Sequence, residues 1–328
     1  MTSPSETMRA ATIATYGGPE VVQIRTLPIP ALRKGEVRVR VHAAPVTAAD
    51  VRLRSAKVPL GYALLIRLAF GFSGPRNPIP GWGFAGVVEA LAADVNELAV
   101  GDRVFGIKGF GGGAQAEFLN VAAKGTVLRM PDSLSFEEGA AFFFGGLTAA
   151  DFLIDKAAMQ RTETLAIVGA TGSVGSAALS LAKHLGLTTT AVCSAENHAL
   201  AKSLGAARVI DYRSAELEGT YDGILDVMGA LPRDRALSLL KPGGRLMPVT
   251  ANLMQNLGAA LKPMRGTKRI TGNTTSEARE KLERLVQLHR EGAYTPVVGR
   301  ALPLAEIAEA HRLAETWHKQ GNLVLTMR

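Results

Sequence analysis

The stretch Thr164–Gly186 reads TLAIVGATGSVGSAALSLAKHLG, and it decides how this chain is interpreted. Its apolar start, Thr164–Val168, has the composition of a buried strand, and the Ala-rich run Val174–His184 has that of a helix. Between them lies the turn Gly169-Ala170-Thr171-Gly172-Ser173-Val174-Gly175. A strand that passes through a glycine-rich turn into a helix is typical of the first unit of a dinucleotide-binding sheet.

The glycines of this turn predict its chemistry. Glycine lets the backbone approach a pyrophosphate, and the N-terminus of the following helix offers free N–H groups and a positive dipole end to phosphates. We expect Gly175 to let the helix pack closely on the strand. No Gly-Lys-Ser/Thr follows, so a nucleoside-triphosphate P-loop is excluded. A glycine turn without a ligand is the alternative, and the position between strand and helix favours a cofactor.

The end of the next strand bears on the choice of cofactor. An acidic residue there would bind the 2′-hydroxyl of NAD and repel a 2′-phosphate. Cys193 and Ser194 stand there instead, and Ser194 can hydrogen-bond a phosphate. The sequence therefore favours NADP(H), although Glu196 lies slightly beyond and opposes this preference.

The remaining pattern predicts an α/β protein of two parts. Strands and helices alternate over 164–249, which predicts a doubly wound parallel sheet of the Rossmann type. Short strands and turns fill the first third and predict a mainly β, barrel-like domain. A capping box at Ser135 and Glu138 predicts a helix start, and a separate helix is expected over Thr148–Lys156.

Two further segments carry local predictions. Thr274 and Glu277 form a second capping-box pattern, whose helix Gly292 would end. The apolar segment Pro59–Phe72 is interpreted equally as a buried helix or as a lid over an apolar pocket. It is too short to span a bilayer, which takes about twenty apolar residues.

Composition limits the class of protein. The 328 residues suggest two domains, and with 47% hydrophobic and 20% charged residues the chain is not a disordered one. The net charge of +8 is scattered, which favours a solvated basic surface over a nucleic-acid footprint. No apolar signal core occurs in Met1–Arg9, so we expect a cytoplasmic protein. One cysteine, Cys193, excludes an intramolecular disulfide and a multi-cysteine metal site.

Six stretches carry a family resemblance, namely PIPGWGFAGVVEALAADVNELAVGDRVFG, GAQAEF, LSFEEGAAFFFGGLTA, VGATGSVG, AKSLGAARVIDYRS and KPGGRL. In this order they resemble the medium-chain dehydrogenase/reductase superfamily, in its zinc-independent quinone oxidoreductase-like branch, over nearly the whole chain. The resemblance implies a GroES-like catalytic domain that is split around a Rossmann domain, a cleft between the two, and a homodimer. The implied limits are 1–124 and 270–328 for the catalytic domain and 125–269 for the Rossmann domain.

The family's zinc enzymes carry a ligand cysteine before the first catalytic-domain helix and a histidine in a GHE motif. This chain has Thr47-Ala48-Ala49-Asp50 and Gly81-Trp82-Gly83 at those places. A catalytic zinc needs three protein ligands, so we predict no metal site. His311 and His318 could share a helix face, but they have no third partner.

Without a metal, reduction of a conjugated carbonyl is easier than alcohol oxidation, because hydride goes to carbon and the charge spreads to oxygen. The predicted pocket donors are Thr47, Arg52 and Tyr62. The resembling enzymes usually have Asn at the first of these places and often Tyr at the second, so this chain departs at both. Asp50 is interpreted as a helix cap or salt-bridge partner.

The resemblance also implies contacts to the cofactor beyond the turn 169–175. Those to the 2′-phosphate would be Ser194, Asn197 and Tyr212, although Lys is common where Asn197 stands. The other implied contacts are Thr148 on the nicotinamide side, Val227 and Gly229 after the fourth strand, Thr250 after the fifth, and Asn322 near the C-terminus.

The leading interpretation is an NADPH-dependent, zinc-independent oxidoreductase that acts on a small apolar quinone or α,β-unsaturated carbonyl. Two alternatives stay open at this point: an NAD(P)-dependent alcohol dehydrogenase, and a nucleotide-binding protein without catalysis. The glycine turn alone does not separate the first from the last.

Overall fold

The computed structural model describes residues 7–56, 63–250, 264–265, 267–272, 275–316 and 319–327. Its strands in chain order are β1 (Thr7–Ile13), β2 (Val22–Pro28), β3 (Glu36–Val46), β4 (Gly83–Leu91), β5 (Arg103–Ile107), β6 (Phe118–Ala122), β7 (Val127–Arg129), β8 (Thr164–Val168), β9 (Thr188–Cys193), β10 (Arg208–Asp211), β11 (Tyr221–Asp226), β12 (Leu240–Pro248), β13 (Met264–Arg265), β14 (Lys268–Ile270), β15 (Val298–Pro303) and β16 (Asn322–Thr326).

The described α-helices are α1 (Ala48–Ser55), α2 (Ala63–Phe70), α3 (Phe136–Ala150), α4 (Ser173–His184), α5 (His198–Ser203), α6 (Arg233–Ser238), α7 (Arg279–Arg290) and α8 (Ile307–Glu315). Short 3₁₀ turns cover Pro19–Val21, Gly109–Gly111, Ala195–Asn197 and Leu304–Glu306. No helix among the described residues is both long and apolar enough to cross a bilayer.

One sheet is parallel and has the order β10-β9-β8-β11-β12-β14-β13, in which only β13 runs antiparallel to its neighbour. The sheet grows from β8 in both directions, so it is doubly wound, as predicted. Its strands are apolar because helices cover them, and Leu165, Ala166 and Ile167 of β8 are fully buried. At the carboxyl ends of β8 and β11 the chain leaves in opposite directions, which opens the crevice where α/β proteins bind ligands.

The other large sheet is mainly antiparallel, with the order β15-β16-β3-β4-β5-β7, and β6 pairs with β3. Strands from the last thirty residues complete a sheet begun in the first hundred, because β16 pairs with β3. The strictly alternating Val37-Arg38-Val39-Arg40-Val41 buries its valines, as the period of a strand predicts. β7 follows the predicted boundary at residue 124 and still pairs with β5 of this sheet.

Helix α3 connects the two sheets. It packs on α4 of the parallel sheet and on β3 and β4 of the antiparallel one, and its alanines and phenylalanines form the centre of the largest core cluster. The predicted capping box is confirmed: the Ser135 hydroxyl accepts from the Glu138 N–H at 3.1 Å, and the Glu138 carboxylate accepts from the Ser135 N–H at 2.8 Å. This cap fixes where α3 begins and therefore how its inner face meets both sheets.

Three local predictions need correction. A separate helix over Thr148–Lys156 is wrong, because α3 runs without a break into a π-helical turn, Asp151–Lys156, whose buried Asp151 pairs with Lys156 at 2.8 Å. α7 begins only at Arg279, without a side-chain cap, and Thr274 lies outside the described residues. Gly292 does follow this helix with φ +74. The apolar segment is not a buried helix at its described end, since Leu68 and Phe72 are 50% and 60% exposed.

Candidate functional site

The glycine turn is built by the backbone of three glycines. Gly169 has φ +80, and its N–H donates to Val192 O at 3.0 Å, so the chain leaves β8 across the end of β9. A Cβ on Gly175 would stand 2.1 Å from Gly169 O, so this glycine allows α4 to approach the strand, as predicted. A Cβ on Gly172 would meet only Gly169 O, at 3.8 Å.

Open space at Gly172 lies directly before the first turn of α4. The first N–H groups of a helix have no partner within it, and the helix dipole places partial positive charge there. Gly172 is the N-terminal cap residue of α4, and no side chain caps the helix at this point. The turn therefore leaves a helix N-terminus accessible on one side, which is the geometry that a diphosphate requires.

The C-terminal segment is joined to this turn. The Gly321 N–H donates to Thr171 O at 2.7 Å, and the Ser173 hydroxyl donates to Asn322 Oδ1 at 2.5 Å. Asn322 is 3% exposed, and its amide nitrogen donates to a backbone carbonyl at 3.0 Å. The structure thus places Asn322 beside the glycine turn, where its side chain ties the antiparallel sheet to the start of α4.

Polar side chains gather where β9 and β10 end, at neighbouring positions of the sheet. We call Ser194, Glu196, Asn197, Tyr212 and Arg213 the ribose-end cluster. Asn197 Nδ2 donates to Ser194 Oγ at 3.1 Å, and the Arg213 guanidinium lies over the Tyr212 ring at 5.6 Å. Arg213 Nη1 donates to Glu196 Oε1 at 2.8 Å. The predicted residues Ser194, Asn197 and Tyr212 therefore lie together, and the structure adds a cation and a carboxylate.

Residues after β11 and β12 form a second part of the crevice. Gly229 has φ +69, and its N–H donates to the buried Asp226 carboxylate at 2.8 Å. A Cβ on Gly229 would stand 2.6 Å from Thr250 Oγ1. That hydroxyl is buried and has no hydrogen-bond partner among the described residues. A buried donor without a partner is costly, so Thr250 fits a ligand group at this place. Val227 comes directly after β11 and packs against the largest core cluster.

Thr148 lies on the face of α3 that is not fully buried. Its hydroxyl donates back to Phe144 O at 2.9 Å within the helix. One turn earlier, a Cβ on Gly145 would stand 2.2 Å from Ser173 O, so α3 touches the start of α4 here. The Phe144 ring meets Trp82 edge-on, with the ring centroids 5.9 Å apart. This half-buried aromatic pair lies beside the predicted nicotinamide end.

The predicted pocket donor Thr47 is 2% exposed, and its hydroxyl is engaged. It donates to Asp50 Oδ2 at 2.7 Å, and the Thr47 N–H donates to the same oxygen at 2.8 Å. Gly81 N–H donates to Asp50 Oδ1 at 3.1 Å. Thr47 is thus the N-cap of α1 and Asp50 is its capping-box partner, whereas the sequence suggested that Asp50 is a helix cap or a salt-bridge partner. Burial raises the pKa of the Asp50 carboxyl despite these bonds.

The other two predicted donors differ in position. Arg52 lies half-buried on α1, where burial lowers the pKa of its guanidinium. Tyr62 lies outside the described residues. Of the three predicted pocket donors, the structure therefore places Thr47 and Arg52 on one short helix and its cap.

Known protein families and proteins match the sequence of this chain. The model of the alcohol dehydrogenase GroES-like domain matches residues 33–132, and that of a zinc-binding dehydrogenase matches residues 204–325. A chloroplastic quinone oxidoreductase of Triphysaria versicolor is 30% identical, with 97% of this chain and 98% of the relative covered. The human quinone oxidoreductase is 28% identical, with 95% of each chain covered.

Solved structures agree with the sequence relatives. The quinone oxidoreductase of Coxiella burnetii has a TM-score of 0.85 and 28% identity, and covers 98% of this chain and 100% of its own. A mycobacterial protein complexed with NADPH has a TM-score of 0.78 and 27% identity, over 97% and 99% of the chains. An NAD-dependent alcohol dehydrogenase has a TM-score of 0.80 and 25% identity, over 98% and 100%.

This chain belongs to the medium-chain dehydrogenase/reductase superfamily, in its quinone oxidoreductase-like branch. The predicted family and the GroES-like and Rossmann parts of the fold are confirmed. The protein is therefore an oxidoreductase of this superfamily.

The donor set of this superfamily member does not fit the zinc ion that one matching model names. The places of the GHE histidine and glutamate hold Trp82 and Gly83, which offer no metal ligand. Thr47 offers only a hydroxyl, and both Asp50 oxygens accept hydrogen bonds. Within the described part of the chain, no three His, Cys, Asp or Glu side chains are placed to hold a metal. Cys193 is buried, and burial raises the pKa of its thiol to about 11.

Lys319 is a site residue that the sequence did not reveal. It is partly buried two residues before Gly321, and its Nζ lies 3.5 Å from Val46 O, directly before Thr47. Burial lowers the pKa of its ammonium to about 8, and the charge of Asp50 opposes this. A single lysine in a polar segment carries no sequence signal, because only the packing of this segment between the two sheets brings it into the crevice.

Proposed function

We propose that this oxidoreductase is an NADPH-dependent reductase of quinones or α,β-unsaturated carbonyls that works without a catalytic metal. The observation that carries the proposal is the open space at Gly172, before an uncapped helix N-terminus. Gly169 and Gly175 are both closed by neighbouring atoms, so the turn is tight where the fold needs it and open only where a diphosphate would lie.

Support for a 2′-phosphorylated cofactor comes from the ribose-end cluster. Ser194 and Asn197 offer hydrogen-bond donors, and Arg213 offers a guanidinium, which binds phosphate with paired hydrogen bonds. The buried Thr250 hydroxyl and the edge of α3 at Thr148 would contact the other end of the cofactor. One structural neighbour was solved with NADPH, whereas another is named as NAD-dependent, so the choice rests on this cluster.

When bound, the reduced nicotinamide supplies a hydride. The residues of the chain must then stabilise the negative charge that develops on the substrate oxygen, which takes correctly placed donors or cations. The cations beside the cap of α1 are the Lys319 ammonium and the half-buried Arg52 guanidinium. Asp50 holds Thr47 in place, so its hydroxyl can contribute only after it releases that carboxylate.

The class of substrate is inferred from the wall of the crevice. Trp82, which stands where the zinc enzymes carry the GHE histidine, is half-buried and lies edge to face with the half-buried Phe144. Flat apolar rings pack well against such a pair. A planar, uncharged quinone or enone fits this surface better than a small hydrophilic alcohol.

The proposal is tested by steady-state oxidation of NADPH with a panel of quinones and enones, before and after exhaustive chelation. We expect turnover that chelation does not change, together with no stoichiometric zinc by elemental analysis. Alcohol oxidation that is lost to a chelator and restored by zinc would instead identify an alcohol dehydrogenase. Tight NADPH binding without turnover on any panel member would identify a nucleotide-binding protein without catalysis.

A further inference from the structure

The Glu196 carboxylate forms an exposed ion pair with Arg213 at the ends of β9 and β10. Arg213 Nη1 donates to Glu196 Oε1 at 2.8 Å. The Ser194 hydroxyl, the Glu196 N–H and Arg213 lower the pKa of this carboxyl to about 2, so it is fully charged at any physiological pH. Both members of the ion pair are exposed, with side-chain exposures of 65% for Glu196 and 50% for Arg213.

The position of this pair matters more than its strength. Ser194 follows the last residue of β9, and Tyr212 follows the last residue of β10, while Cys193 and Asp211 are register partners. In a doubly wound sheet the adenosine ribose lies at the end of the second strand. Arg213 is therefore the cation nearest to that place in the cluster, and the Tyr212 ring supports its guanidinium at 5.6 Å.

A phosphate monoester and a carboxylate would use the same donors here. A guanidinium binds either anion through paired hydrogen bonds, and a hydroxyl such as that of Ser194 donates to either. The phosphate carries about −1.5 to −2 charges near neutral pH, against −1 for a carboxylate. If a 2′-phosphate lay on Arg213 while Glu196 remained, the two anions would repel each other, so Glu196 must leave.

We infer that Glu196 is an internal competitor that occupies, on Arg213, the subsite of the cofactor's 2′-phosphate. NADPH binds by displacing this carboxylate, and Arg213 changes partner from Glu196 to the phosphate. NADH has no phosphate to displace it, and its 2′-hydroxyl donates to the carboxylate in place. The inference rests on the proposed function and sharpens it. It states that the exchangeable ion pair of Glu196 and Arg213 limits the preference for NADPH over NADH.

Two substitutions separate the roles of the pair. Glu196→Gln removes the competing charge and leaves Arg213 free, so we expect the Kd for NADPH to fall about tenfold and that for NADH to change less than about twofold. Arg213→Met removes the cation and keeps an unbranched side chain near Tyr212. It should raise the Kd for NADPH more than about tenfold and leave NADH nearly unchanged.

The double variant tests whether the two residues act through each other. Glu196→Gln should bring no gain in NADPH affinity in the Arg213→Met background, because no cation is left to free. The matched control is the exposed ion pair of Arg40 and Glu89 in the antiparallel sheet, whose atoms are 2.7 Å apart, against 2.8 Å for Glu196 and Arg213. Glu89→Gln and Arg40→Met change the net charge equally and should leave both cofactor affinities unchanged.

Binding of 2′,5′-ADP and of 5′-AMP by calorimetry distinguishes failure of this inference from failure of the proposed function. If 2′,5′-ADP binds more tightly to Glu196→Gln while 5′-AMP does not, the inference holds even when no substrate is reduced. An unchanged ratio of NADPH to NADH affinity in Glu196→Gln would overturn it. Equal weakening of NADPH and NADH binding by Arg213→Met would also overturn it, because that result indicates a structural ion pair. Failure of both 2′,5′-ADP and 5′-AMP to bind would overturn the inference together with the proposed function.

Discussion

The glycine turn and the ribose-end cluster lie side by side at the same end of the parallel sheet. Backbone atoms form the first region, whereas side chains form the second. In the turn, backbone atoms limit the space, because a Cβ on Gly175 would stand 2.1 Å from Gly169 O. In the cluster, side chains form the contacts, and those of Glu196 and Arg213 are both largely exposed. The first region has one arrangement, whereas the second has partners that can be exchanged.

This difference indicates how each region tolerates change. A backbone turn cannot move without the strand and helix that it joins, so a methyl group added against a neighbouring backbone atom destabilises the fold. An exposed ion pair contributes little to stability and can open readily. Affinity for the shared part of the cofactor should therefore depend on the turn, while selectivity should depend on the cluster.

The largest expected effect is on stability, from Gly175→Ala. The new Cβ would stand 2.1 Å from Gly169 O and 2.6 Å from the Ala170 carbonyl carbon, and neither backbone atom can rotate away. We expect a loss of about 3 kcal/mol or more in the free energy of unfolding, measured by urea denaturation. Gly172→Ala is the matched control and should unfold like the unmodified protein, because its Cβ meets nothing closer than 3.8 Å. Equal loss in the two variants would contradict the view that the backbone is closed at Gly175 and open at Gly172.

The second prediction concerns affinity. Gly172→Val places a branched side chain in the open space before α4, where its Cβ meets nothing closer than Gly169 O, at 3.8 Å. NADPH and NADH should both bind at least about a hundredfold more weakly, because a diphosphate can no longer approach the helix N-terminus. Fluorescence titration measures both constants, and the urea midpoint should not change. Unaltered binding would remove the turn from the cofactor site.

The turn could be predicted from the sequence because its cause is local. Gly169, Gly172 and Gly175 follow a strand and open a helix within a few residues, and nothing distant is needed to define their roles. The capping box of Ser135 and Glu138 was readable for the same reason. The pairing of β16 with β3 was predictable only through the family resemblance, since no local pattern links residues so far apart.

Other features depend on packing between distant segments, and there the sequence was insufficient. The separate helix predicted to begin at Thr148 does not exist: α3 continues into the π-helical turn, where Lys156 and Lys281 pair with the buried Asp151 carboxylate. Thr47 is predicted as a pocket donor, whereas its hydroxyl donates a hydrogen bond to Asp50 Oδ2 in the structure. Lys319 reaches the crevice only because Gly321 pairs with Gly172 across the two sheets. None of these contacts leaves a local pattern.

The third prediction sharpens the comparison at the cluster. Ser194→Asp adds a carboxylate where the 2′-phosphate would lie, beside Glu196. The Kd for NADPH should rise about tenfold relative to that for NADH, which reverses the preference. Ser238→Asp is the control, because it adds the same charge on an exposed residue at the other, amino-terminal edge of the sheet, just before β12. A change of both constants by the same factor would show that the cluster does not select between the cofactors.

The smallest expected effect is on NADPH affinity and concerns Lys319. This residue belongs to a third region, the segment before Gly321, where the charge of one side chain depends on pH. Its folded pKa is about 8, so the ammonium is charged below that pH and is lost above it. Because this cation lies two residues from Gly321, which pairs with the turn, we expect NADPH to bind about threefold more weakly at pH 9.5 than at pH 7. Lys319→Met should bind with little pH dependence over this range, whereas Lys124→Met, at a lysine whose side chain is 87% exposed, should keep the dependence.

The sign of the stability change separates this effect from unfolding. Between pH 8 and the ordinary lysine value of 10.5, the unfolded chain binds more protons at Lys319 than the folded chain does. The contribution of this residue to the free energy of unfolding therefore rises with pH in that window, while cofactor affinity falls. Chemical denaturation of the unmodified protein and of Lys319→Met at pH 7.5 and 9.5 measures the difference. If affinity and the Lys319 contribution to stability both fell with pH, weakened binding would reflect loss of the fold instead of loss of one cation beside the turn.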